Sequence, residues 1–340
     1  MTRAARARRL ATAAAFGGGG VGLGLAAIAT LLREEARAAR RRVEARDVRT
    51  DPPSGDGIYG HRRGKPLVFA VLGDSSAVGL GVDRATETPG VLIAAALAEL
   101  AERPVRLVRL AVSGAESREL DPQVEKALAE RPDVALIMIG ANDVTTRTKP
   151  AVSVRHLEDA VRRLVGAGCE VVVGTCPDLG TIRPIGQPLR TLARKWSREM
   201  AAAQTIAVVE AGGRTVSLGS VLGPAFASDR SMFSADEFHP SALGYAQAAA
   251  VLLPSVADAV GAWPAAADRG LGTIRRDTVR PVARAAARAA NRPGTEVQPA
   301  EVRGSGTGPR GPWALLRRRR PPEIPTPEQA EEAAEAPVAG

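Results

Sequence analysis

A serine hydroxyl is a weak nucleophile at neutral pH until a neighbouring base takes its proton. An imidazole serves as that base when a carboxylate fixes its tautomer and stabilises the imidazolium it becomes. The chain holds three histidines, His61, His156 and His239, and only His239 has an aspartate, Asp236, three residues before it. In Asp236-Glu237-Phe238-His239 the carboxylate and the imidazole can meet within one turn of backbone. Far upstream, Gly73-Asp74-Ser75-Ser76 closes an apolar run and offers the hydroxyl. Between the two lie Ser113-Gly114 and Gly140-Ala141-Asn142-Asp143, each directly after an apolar, strand-like run. A backbone N–H at Gly114 and a side-chain amide at Asn142 are donors suited to an oxyanion that develops in the transition state. Four loops carrying a nucleophile, two donors and an Asp/His pair read as one active site. Each also has a plainer use: Asp74-Ser75 as a helix N-cap, Asn142-Asp143 as a turn, Gly114 as a positive-φ position, Asp236 to His239 as a capping arrangement. The requirement that all four meet at one edge of one fold favours the site.

The elements that must position these loops follow from periodicity. Residues 67–72, 105–112, 134–139, 170–174 and 215–218 read as strands, the first and third apolar throughout, as in strands buried on both faces. Residues 89–100 read as a helix with Thr88 as N-cap and Pro89 at its first position. Helical sequence follows at 116–130 and 152–165, and a last helix spans 241–260. In 189–203, Leu189, Leu192, Ala193, Trp196 and Met200 recur at helical spacing, which reads Trp196 as a core residue. Strands separated by helices predict right-handed crossovers and a parallel sheet covered on both faces. Ligands of such α/β sheets bind beyond the carboxyl ends of the strands. Ser75, Gly114 and Asn142 follow the first, second and third strands at that edge.

The net charge of +9 suggests nucleic acid at first sight, but its distribution argues otherwise. Residues 1–66 carry 14 Lys/Arg against 6 Asp/Glu, residues 264–340 carry 13 against 9, and residues 67–263 carry 19 against 22. The basicity belongs to the tails, whereas a nucleic-acid enzyme concentrates it around its site. Cys169 and Cys176 flank the run 170–175. As the ends of a strand they would lie roughly 23 Å apart, too far for a disulfide, and two cysteines alone fit no zinc-site spacing.

Residues 10–32 are 23 uncharged residues rich in Ala and Gly, preceded by Arg3, Arg6, Arg8 and Arg9. The length suffices for a bilayer span, and Ala27-Ile28-Ala29 fits a signal-peptide cleavage site. Membrane association through residues 10–32 is therefore expected, as an uncleaved anchor, with secretion after cleavage near Ala29 as the alternative. More arginines follow the stretch than precede it, which by the positive-inside rule favours a cytoplasmic catalytic domain and opposes export. The side is left open. Residues 1–32 thus read as anchor or signal, 33–66 as a basic linker, 67–263 as the catalytic domain and 264–340 as a mostly disordered tail. Within that tail, residues 282–290 read as a transient helix. Trp313-Ala314-Leu315-Leu316 before Arg317 to Arg320 reads first as a solvated basic tail, with an anionic-membrane contact, which its composition suits, as the other reading.

Taken together, Gly-Asp-Ser-Ser at 73–76, the Gly114 loop, Gly-Ala-Asn-Asp at 140–143 and Asp-Glu-Phe-His at 236–239 resemble the bacterial SGNH hydrolases, also called GDSL esterases and lipases. The resemblance covers about residues 67–262 and implies a three-layer α/β/α, flavodoxin-like fold. It implies Ser75 as nucleophile, His239 as general base and then acid, and Asp236 as the carboxylate that orients His239. It also implies an oxyanion hole made by the Ser75 and Gly114 N–H groups and the Asn142 amide, with no metal and no cofactor. No G-x-S-x-G occurs, which argues against the nucleophile elbow of the α/β-hydrolases. The expected reaction is hydrolysis of carboxylic esters through an acyl-enzyme. The same machinery could instead remove O-acetyl groups from carbohydrate or transfer acyl groups on cell-envelope glycans. An alternative of another class is a membrane-tethered binding module that has lost catalysis. Few aromatics and a Gly/Ala-rich periphery hint at short acyl groups.

Overall fold

The computed structural model describes residues 30, 34–38, 41, 55–219, 226, 228–263, 279–292, 294–299, 313–318 and 324–335. In chain order its first elements are β1 (Gly57–Tyr59), β2 (Leu67–Gly73), α1 (Ser75–Val78), α2 (Pro89–Ala101), β3 (Val105–Arg109), α3 (Leu120–Glu130) and β4 (Val134–Met138). Then come α4 (Ala141–Thr146), α5 (Pro150–Gly166), β5 (Glu170–Gly174), α6 (Leu189–Glu210), β6 (Arg214–Val216) and α7 (Ala242–Ala259). The last are β7 (Val279–Pro281), α8 (Val282–Ala289), β8 (Thr295–Pro299), β9 (Trp313–Arg318) and α9 (Pro327–Glu335).

Side-chain alternation builds the layers. In β2, Leu67, Phe69 and Val71 enter one apolar cluster while Ala70 and Leu72 enter another. β4 divides the same way, with Val134, Leu136 and Met138 against Ala135 and Ile137. A strand apolar on both faces needs cover on both. Helices α2 and α7 supply it on one face, α3 and α5 on the other. Strands β3, β2, β4, β5 and β6 pair in parallel in that order. This parallel block is the α/β sheet the sequence predicts.

It is the centre of a larger mixed sheet. β1 pairs antiparallel with β3 at one edge. At the other, β8 pairs antiparallel with β6, β9 with β8 and β7 with β9, giving nine strands among the described residues in the order β1-β3-β2-β4-β5-β6-β8-β9-β7. The fold thus continues past residue 263, in contrast to the disordered tail read from the sequence. Ala285, Ala286 and Ala289 of α8 are too small to register as an apolar stripe. Ala285 and Ala289 nevertheless pack with Val282, Val297 and Ala314 against Val209 of α6. α9 docks at the far edge, where the Gly60 N–H donates to the Ala333 carbonyl at 3.0 Å and Arg84 pairs with Glu331 at 3.6 Å.

The aromatic-aliphatic-arginine segment is likewise built in. Residues 313–318 are strand β9, with Ala314 buried and Leu316 packed on the cluster around Val209 and Val297. Arg317 faces Asp258 at 3.8 Å. Arg319 and Arg320 lie outside the described residues. The stretch 10–32 also lies outside them, apart from Thr30. Among the described residues no helix is long and apolar enough to cross a membrane.

Two boundaries differ from the periodicity. The second strand ends at Arg109 rather than residue 112. Helix α6 runs to Glu210 rather than stopping near 203, because buried polar residues in its last turns find partners. Thr205 Oγ1 donates to the Ala201 carbonyl at 2.8 Å. Gln204 accepts from Cys176 N at 2.7 Å and donates to the Ile139 carbonyl at 2.9 Å, joining the loops after β4 and β5. Cys169 and Cys176 are buried and unpaired at the two ends of β5.

Candidate active site

Ser75 is the first residue of α1, immediately beyond the carboxyl end of β2. The turn that places it needs glycine at position 73. There φ is +131°, and a Cβ would lie 1.9 Å from the Met138 carbonyl oxygen of the neighbouring strand. Gln123 of α3 holds this glycine from the side, accepting from its N–H at 2.8 Å and donating to its carbonyl at 3.1 Å. Asp74 caps α1, accepting from Ser76 N at 2.9 Å and Ser76 Oγ at 2.6 Å. The second hydroxyl is thereby committed to the cap, and Ser75 Oγ is left to face His239.

His239 Nε2 lies 3.0 Å from Ser75 Oγ, and Nδ1 lies 2.6 Å from Asp236 Oδ2. The carboxylate is held before it meets the ring. Its Oδ1 accepts from Ser234 Oγ at 2.7 Å, Phe238 N at 2.8 Å and His239 N at 2.9 Å. This tight loop carries Glu237 at φ +55°, a left-handed conformation costly for a residue with a Cβ. Burial would raise the Asp236 pKa. The hydrogen bond and charge of His239, with the bonds from Ser234 and Phe238, outweigh it and hold the group down at about 2. Asp236 is therefore ionised across the neutral range and fixes the proton of neutral His239 on Nδ1, so that Nε2 can accept from Ser75.

Asp74 shows the opposite balance. Burial pushes its carboxyl up to about 6, although the bonds from Ser76 and the facing His239 pull it back.

The other two loops are tied together rather than merely adjacent. The Val112 N–H donates to the Gly73 carbonyl at 3.0 Å, which fixes the loop after β3 beside the turn that carries Ser75. Gly114 in that loop has φ +82° and is exposed. Asn142, in the first turn of α4, donates through Nδ2 to the Ala115 carbonyl at 2.9 Å. One hydrogen of its amide is thereby used for orientation, and the other can serve a ligand.

Sequence reasoning missed the group that sets this junction. Asp143 is 1 % exposed and accepts from Ser117 N at 3.1 Å, Ser117 Oγ at 3.0 Å and Ser153 Oγ at 2.6 Å. It clamps the second loop to the third and both to α5. Gln123, Asp143 and Gln204 share one signal, a polar side chain on an otherwise buried helix face, but their partners lie far along the chain.

A cleft of about 60 Å³ is lined by Ser75, His239 and Tyr245. It shares Leu179, Ile182 and Phe238 with an apolar cavity of about 430 Å³, on whose wall Asn142 also stands. Trp196, read from sequence as a core residue, packs against the apolar cluster that includes Leu189, Ala193 and Met200 and also lines this cavity, with the Arg147 guanidinium 5.5 Å from its ring centre.

Residues 71–247 match the GDSL-like lipase/acylhydrolase family. A GDSL-like esterase of Mycobacterium tuberculosis is 46 % identical over 223 residues, covering 62 % of this chain and 71 % of that protein. Among solved structures, TesA aligns over 57 % of this chain and 98 % of its own, at 21 % identity and a TM-score of 0.45. The acetylxylan esterase Axe2 of Geobacillus stearothermophilus aligns over 60 % and 99 %, at 18 % identity and a TM-score of 0.40.

Proposed function

Since the chain belongs to the GDSL-like lipase/acylhydrolase family and is an ester hydrolase, we propose that it cleaves carboxylic esters through a covalent acyl-enzyme on Ser75. The observation that carries this reading is His239, which lies within hydrogen-bond reach of Ser75 Oγ on one side and Asp236 on the other. His239 Nε2 takes the Ser75 proton as Oγ attacks the ester carbonyl, and Asp236 stabilises the imidazolium that forms. The Ser75 and Gly114 N–H groups and the free hydrogen of the Asn142 amide receive the oxyanion. Because the bond to Ala115 fixes that amide in advance, little reorganisation accompanies the reaction. His239 then gives its proton to the departing alkoxide, and water repeats the sequence to release the acid.

Labelling with a fluorophosphonate probe tests the assignment. Wild type should be labelled at Ser75 and Ser75→Ala should lose both label and ester hydrolysis, while Ser76→Ala keeps the label. A label found on Ser76 would sink the assignment.

A further inference from the structure

The larger cavity is mainly apolar, with Val144, Ile185, Leu189 and Trp196 on its walls beside the polar Thr145 and Arg147, and its 430 Å³ fall within the range of small-molecule sites. It meets the Ser75 cleft across Ile182 and Phe238. Asn142, the side chain assigned to the substrate carbonyl oxygen, lines the larger cavity. An acyl chain running from that carbonyl past Ile182 and Phe238 would enter the cavity. An acetyl group would leave it unfilled.

One wall comes from outside the catalytic domain read from the sequence. Residues 34–38 are helical, and Ala36 lines the cavity. The segment is anchored by Glu35, whose Oε2 accepts from Leu189 N at 3.0 Å. Leu189 opens α6, so its N–H has no partner within the helix, and a carboxylate there satisfies it while meeting the positive end of the helix dipole. This contact joins the basic segment before the core to the helix that carries Ala193 and Trp196.

We propose that this cavity is the acyl-chain pocket, that residues 34–38 complete it, and that the preferred substrates carry medium-length acyl chains rather than acetyl groups. The proposal rests on Ser75 as the acylated residue. Each methylene newly buried in the transition state raises kcat/KM by about fourfold at most.

The test uses the full chain and p-nitrophenyl acetate, butyrate and octanoate. The readout is the octanoate-to-acetate ratio of kcat/KM within each protein, so that a general loss of activity cancels. Wild type should favour octanoate by about tenfold or more. Ala193→Phe, which fills the cavity from α6, should lower the ratio at least to parity. Ala36→Trp should lower it severalfold, and because Ala36 is exposed this variant remains informative if the α6 variant fails to fold. A wild-type ratio at or below one, or the same ratio in both variants, overturns the pocket. A shift in Ala193→Phe alone overturns the part assigned to residues 34–38. Each of these outcomes leaves the catalytic reading standing while the fluorophosphonate label stays on Ser75. Octanoate and acetate hydrolysis persisting in Ser75→Ala would instead sink that reading.

Discussion

Asp74 next to Ser75 is 2 % exposed and titrates at about 6 instead of 3.8, chiefly because burial disfavours its charge. Replacing it by Asn keeps the cap, since an Asn oxygen can accept from Ser76 N and Oγ as the carboxylate does, and Asn and Asp cap helices about equally well. The substitution removes only the charge. A carboxyl whose folded-state pKa is raised contributes stability that is fully present below its unfolded value and is lost as pH rises through the folded one. Here that window runs from 3.8 to about 6. A rise of about two units is worth roughly 3 kcal/mol once both states are ionised. Asp74→Asn should therefore be more stable than wild type by up to about 3 kcal/mol near pH 8, and the two should converge near pH 4. Urea denaturation of both proteins at the two pH values measures this directly, with equal m values required for the comparison. Equal stability near pH 8, or an advantage that persists unchanged near pH 4, would refute the assignment of a buried, costly charge beside Ser75.

Two further perturbations test the site and the fold. Asp236→Asn retains an acceptor for Ser234, Phe238 and His239 N but turns an N–H donor toward His239 Nδ1. The ring must then carry its proton on Nε2, facing Ser75, and kcat should fall by about a thousandfold or more with little loss of thermal stability; steady-state kinetics retaining a tenth of wild-type kcat would contradict this. A chain ending at residue 263 should lose stability and tend to associate, because it uncovers the β6 edge paired with β8 and the Val209 face covered by α8. If that truncation melts like the full chain and stays monomeric in light scattering, the C-terminal strands are dispensable to the core.

Apolar runs at 67–72 and 134–139 read as strands buried on both faces, and each is followed at once by a loop rich in Gly, Asp, Ser or Asn. That local coincidence placed Ser75 and Asn142 at one sheet edge, and the three-residue spacing of Asp236 and His239 restricted how those two could meet. These features were legible because they depend on near neighbours and on a period of two. What depends on distant partners was not. Gln123 holding Gly73, Asp143 clamping Ser117 and Ser153, and Gln204 bridging Ile139 and Cys176 are each an isolated polar residue until the chain is folded. The C-terminal strands were invisible for a related reason. Val279–Pro281 and Thr295–Pro299 are short and carry little hydrophobic signal, Trp313 to Leu316 is apolar but reads equally as a surface patch, and all three pair only because a sheet edge and the α6 face are already there. The cavity beside Asn142 is a void bounded by separated segments, and whether Trp196 fills a core or walls a pocket is decided by what the opposing residues leave empty. Local chemistry fixes which groups can react; long-range packing fixes the space in which they do so.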